Sequence, residues 1–157
     1  MRGVRSKTVE NAWQFLKVWP EEDGWNEAEA LTAFGSDCAI RYPRGRGKKA
    51  IGHHWHETGE LIDYVEARQR IYLPLYLKML ELPDRVEIIE RLKNQAAIKP
   101  VSIWDFDSYG IKAVGLTNIF DTIFYEKRPF AHAFIVAIAV RNEVELFQEY
   151  LADKKIK

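Results

Sequence analysis

The run Thr8-Val9-Glu10-Asn11-Ala12-Trp13-Gln14-Phe15-Leu16-Lys17 places a carboxylate, an amide and an ammonium at positions i, i+4 and i+7. Read as a helix, it puts Glu10, Gln14 and Lys17 on one face. Val9, Trp13 and Leu16 flank that face, so the polar line borders a stripe expected to pack inward. Such an arrangement is what a pocket wall looks like. The competing reading is a partly solvated face on which Glu10 and Lys17 are ordinary surface charges.

Two further clusters carry possible chemistry. Arg41, Arg44, Arg46, Lys48 and Lys49 are the densest positive charge in the chain. Gly45 and Gly47 let backbone amides approach an anion there, and arginine forks pair well with phosphate oxygens. The segment lacks the spacing of a Walker loop or of a dinucleotide fingerprint. It is either a phosphate grip or a solvated basic turn. His53, His54, His56 and Glu57 suggest a metal at first sight. Their crowding within five residues makes convergence on one ion difficult, and no H-E-x-x-H signature completes the set. Histidines hydrogen-bonding around Trp55 are the expected arrangement, and no metal is assigned.

Trp104-Asp105-Phe106-Asp107-Ser108-Tyr109-Gly110 follows the clearest strand candidate, Val101 to Phe106. Carboxylates at the end of a strand face the region where ligand sites are commonly built. If the strand continues, one of Asp105 and Asp107 points inward and the other away. The alternative is an Asp-Ser-Tyr-Gly turn capped by its own side chains.

Thr8-Val9-Glu10, Gln14 and Lys17 together resemble the opening motif of the NADAR family (NAD- and ADP-ribose-associated domain). In that family a T-V-E-x-x-x-Q-x-x-K run on an early helix supplies an active-site glutamate and lysine. The family also carries an arginine-bearing segment near the position of residues 41–49. An aspartate and a tryptophan before a glycine, then a G-x-N segment, follow later. Here Asp107-Ser108-Tyr109-Gly110 and Gly115-Leu116-Thr117-Asn118 keep that order without the Trp-Gly pair, for which Trp104 could substitute in space. The resemblance touches Ser6 to Arg128 and is strongest at Thr8 to Lys17.

The resemblance implies an N-glycosidase acting on an ADP-ribosyl or ribosyl-nucleotide bond, including ADP-ribose attached to a nucleobase of DNA. Glu10, Lys17 and Asp107 would then be catalytic. Gln14, Arg41, Arg44, Arg46, Trp104, Tyr109 and Asn118 would bind substrate, and no cofactor is needed. Such cleavage passes through an oxocarbenium-like ribose, which calls for nearby negative charge and an activated water. The alternative is a non-catalytic nucleotide- or nucleic-acid-binding protein of the phage or toxin–antitoxin type.

The elements that must position these residues fit one domain. The chain has 157 residues, 47% hydrophobic and 29% charged, with 23 basic side chains against 23 acidic. That balance is globular, and zero net charge offers no global field toward nucleic acid. The single cysteine, Cys38, excludes an intrachain disulfide and suits a reducing compartment. No signal peptide or membrane-length apolar run is present, so the expected location is cytoplasmic, away from membranes.

The patterning predicts an α+β, predominantly helical single domain with two or three short strands. A core over residues 6–128 would carry a helical extension over 129–157. Ser6 or Thr8 would cap a first helix running to about Val18. A second helix, Glu27 to Phe34, would end at a left-handed Gly35. A short β-like run is expected over 38–42. Helical periodicity over 57–81 would be kinked by Pro74 or split into two helices near Arg70, and Pro83 would open a helix to about Ala97 with Val86, Ile89 and Leu92 inward. Leu116 to Lys127 reads as helical, followed by helices over 129–140 and 141–155.

Overall fold

The computed structural model describes residues 5–20, 27–37 and 49–155. The chain is α+β and mostly helical, with one small three-stranded antiparallel sheet of order β1-β2-β3. It divides into two compact units, residues 1–75 and 76–157. No helix among the described residues is long and apolar enough to cross a membrane.

The first unit begins with α1 (Val9–Phe15), β1 (Lys17–Val18) and α2 (Glu27–Phe34). The first helix is shorter than its periodicity predicts. Leu16 ends it, and Lys17 and Val18 leave to pair with His53 and Gly52 of β2 (Gly52–His54). The exit buries Trp19, and the apolar gain outweighs three more residues of helix. Gly35 does terminate α2, but not in the left-handed region, which among the described glycines is used by Gly59 and Gly115. The β-like run expected over 38–42, with Cys38, lies outside the described residues.

The long helix expected over 57–81 is broken into parts. β3 (Leu61–Ile62) pairs with β2, and Asp63 caps α3 (Tyr64–Ala67) by accepting from Glu66 N at 2.8 Å. A π-helical turn, Arg68–Tyr72, follows before α4 (Leu73–Leu80). Leu73 N donates to the Arg68 carbonyl, the wide bond of a π turn, immediately ahead of Pro74, which has no N–H to donate. Pro74 therefore disturbs the ladder where expected, by widening one turn.

In the second unit α5 (Pro83–Ile98) starts at its proline, as predicted. Of the three inward positions expected on it only Ile89 is buried, and Val86 is 44% exposed. Val101 to Phe106 forms no strand. Burial still alternates residue by residue along it, so the period-two pattern is real while the ladder is missing. A 3-10 turn, Ile111–Val114, precedes a second one, Ile119–Ile123, which replaces the helix expected over 116–127. The nearly all-apolar α6 (His132–Val140) packs on α5, on the second 3-10 turn and on α7 (Val144–Lys155). Ile123, Ile135, Ile138 and Phe147 are sealed in that core.

Candidate functional site

Thr8 sets the phase of the first site. Its Oγ1 accepts from Asn11 N at 3.0 Å, which fixes where α1 starts and so which side chains face inward. Asn11 is fully buried and donates through Nδ2 to the carbonyls of Ala33 and Ser36, at 3.0 and 3.2 Å. These bonds tie α1 to the end of α2, and the face carrying Trp13 and Gln14 is then locked.

On that face Glu10, Gln14 and Lys17 form a hydrogen-bonded line. Gln14 Nε2 donates to Glu10 Oε1 at 2.8 Å, and Lys17 Nζ donates to Gln14 Oε1 at 2.9 Å. An ammonium only donates and a carboxylate only accepts, so the orientation of the amide between them is forced. Lys17 arrives from β1 rather than from the helix, opposite His53 in the sheet register. Gln14 is buried, while Glu10 and Lys17 stay partly accessible. The result is a carboxylate at the edge of solvent, oriented by a buried amide that is itself fixed by an ammonium.

Behind the line lies an aromatic cluster that residue spacing alone does not reveal. Trp13 stacks on His53 at 4.1 Å, meets Tyr72 edge-on at 5.2 Å and Tyr64 at 5.7 Å. Lys17 Nζ lies 5.6 Å from the Trp13 ring centre. Arg68, one helical turn after Tyr64 and at the start of the π turn, is 1% exposed, with its guanidinium 4.3 Å from the Tyr64 ring. His53 is also 1% exposed, and neither ring nitrogen has a hydrogen-bond partner among the described residues. Burial, and then the Lys17 charge, push its pKa down to about 3, so the ring is neutral at physiological pH.

The histidines do not gather as the sequence suggests. His53 turns in against Trp13 rather than hydrogen-bonding near Trp55, and its strand neighbour His54 points to the opposite face. His56 lies against Trp55, at 4.7 Å between rings. Among the described residues no three His, Cys, Asp or Glu side chains are grouped to hold a metal ion.

Of the remaining residues singled out from the sequence, Arg41, Arg44 and Arg46 lie outside the described residues. Asp107, Trp104, Tyr109 and Asn118 belong to the second unit. Asp107 is exposed, and Trp104 is 88% exposed. Tyr109 instead turns inward, 4.9 Å from Phe134 and 6.0 Å from Tyr125. Asn118 caps the second 3-10 turn, its Oδ1 accepting from Phe120 N at 2.9 Å. The inward carboxylate is Asp105, whose Oδ2 lies 3.4 Å from His132 Nδ1, with the His132 ring stacked on Tyr76 at 5.1 Å. Burial and then Asp105 raise the Tyr76 pKa, which keeps that phenol protonated.

Within the first unit the line and its aromatic backing present a positioned carboxylate at the edge of solvent. Sequence spacing identified Glu10, Gln14 and Lys17. It missed Tyr64, Arg68 and Tyr72, for which the only signal was an arginine among apolar helical positions ahead of a proline.

No curated protein and no solved structure matches the chain. Residues 1–136 match the profile of the family of unknown function DUF6939, and the chain belongs to that family.

Proposed function

We propose that the protein is an N-glycosidase that cleaves the bond between a ribose and a nitrogen in an ADP-ribosyl or ribosyl-nucleotide substrate. The observation that carries this reading is the line Glu10–Gln14–Lys17, in which a solvent-edge carboxylate is held by a buried amide. In the proposed step the C–N bond breaks and the leaving nitrogen keeps the electron pair. Water then adds to the oxocarbenium carbon and passes its proton to Glu10, which returns it to the departing base. The Glu10 charge also stabilises the cation as it forms. Gln14 is a positioning residue, because its amide is engaged by Glu10 and Lys17. Lys17 fixes the amide. His53, neutral and stacked, adds no competing positive charge near the cation. A lone cysteine fits a cytoplasmic setting for this chemistry.

The test is release of ADP-ribose from ADP-ribosylated nucleoside and single-stranded DNA, followed by chromatography. Glu10→Gln is expected to lower the rate at least about a hundredfold with substrate binding kept. Wild-type protein that binds these ligands and releases nothing would overturn the enzymatic reading. A second reading, capture of a nucleotide or nucleic-acid end without cleavage, is favoured by one observation. Trp104 and Phe106, 88% and 83% exposed at alternate positions, offer two rings on which bases could stack.

A further inference from the structure

The second unit contains a cleft of about 460 Å³ that plays no part in the glycosidase reading. Its existence follows from α5, whose apolar face is wider than its neighbours cover. Ile89 is buried at the base while Val86 stays 44% exposed, and Leu80 and Val144 complete an apolar floor. The rim is acidic, with Glu81, Glu90 and Glu145 against one ammonium, Lys93. Lys93 is committed to Glu90 at 2.8 Å. Among the described residues no cation stands within ion-pair distance of Glu81 or Glu145. Asn142, held at a φ of 59° where α6 ends, closes one side.

We propose that this cleft binds an organic cation of the alkyl diamine or polyamine class. The methylene spine would lie over Leu80, Val86, Ile89 and Val144, with ammonium groups at Glu81 and Glu145. Charge complementarity and shape argue together for this ligand. The volume falls in the range of small-ligand sites, roughly 300–1,000 Å³. A hard divalent ion requires about six oxygen ligands and leaves the apolar floor wet. A purely apolar ligand would strip water from the two carboxylates without replacing it. A cation with an alkyl body satisfies both surfaces.

The experiment is calorimetric titration of the full chain with 1,4-diaminobutane, 1,6-diaminohexane and magnesium chloride. The six-carbon diamine is expected to bind about tenfold more tightly than the four-carbon one, because two added methylenes reach the floor. Glu81→Gln and Glu145→Gln should each weaken it roughly threefold, and Glu149→Gln, which does not line the cleft, should leave it unchanged. Circular dichroism checks folding. If Glu145→Gln loosens the first turn of α7, Glu81→Gln, beyond the end of α4, carries the comparison alone. Absence of diamine binding overturns the proposal. So does affinity independent of chain length and matched by magnesium, or an equal loss from Glu149→Gln, each of which marks general acidic screening. The outcome does not depend on Glu10, so it stands or falls apart from the glycosidase reading.

Discussion

Gln14 is the residue on which the first site turns. Glu10 and Lys17 lie seven positions apart and are linked through its amide, which donates at one end and accepts at the other. Because Gln14 is buried, the amide has a fixed rotamer, and the partly accessible carboxylate inherits that order. Gln14→Met keeps the length and most of the volume but removes both bonds. We expect it to slow release of ADP-ribose about tenfold, the scale of losing a hydrogen bond to a charged group. The thermal midpoint should stay within about 4 °C, since Glu10 and Lys17 can still reach water. Full activity in this variant would remove the amide from the mechanism.

At the scale of elements, the site depends on a small sheet, seven residues among those described. Gly52 lets β2 approach β3 closely enough to carry His53 onto Trp13. A Cβ there would come within 2.5 Å of the Ile62 carbonyl oxygen and 2.8 Å of Leu61 Cδ1. Backbone on that side cannot give way cheaply, so Gly52→Ala should destabilise the first unit by roughly 2 kcal/mol. Denaturant titration measures that loss, and a stability equal to wild type would mean that the β2–β3 pairing is not needed. The π turn plays the matching part across the cluster. By widening the ladder just before Pro74 it sets the phase in which Tyr72 meets Trp13 edge-on, while Arg68 lies under Tyr64 at ordinary i,i+4 helical spacing.

At the scale of the whole molecule, zero net charge leaves stability to individual groups, and among the described residues His53 is held far from its ordinary state. Its pKa is about 3 when folded, against 6.5 for the free side chain. Below pH 6.5 the unfolded chain takes up a proton that the folded one refuses. Stability is therefore complete above about pH 6.5 and falls as the pH drops through the window down to about 3. This single group should cost about 2 kcal/mol between pH 7 and pH 5. His53→Phe keeps a ring against Trp13 and should remove that part of the acid sensitivity. Urea titration at the two pH values, read by the fluorescence of buried Trp13, Trp19 and Trp55, makes the comparison. An unchanged difference between pH 7 and pH 5 would assign the effect to other groups.

The sequence by itself determined what short-range chemistry fixes. It set the Thr8 cap, the proline start of α5, the apolar α6 and the spacing that aligns Glu10 with Gln14. It also set the mostly helical character, because 3.6-residue periodicity is a local property. Tertiary structure decided the rest, because competing partners lie far along the chain. Lys17 left its helix to pair with His53, and the period-two segment at Val101 to Phe106 found no neighbouring strand. Tyr72 met Trp13 through a widened turn that no local pattern requires. A side chain's direction can be read from its neighbours in sequence, but whether it finds a partner depends on long-range burial, which no window of residues contains.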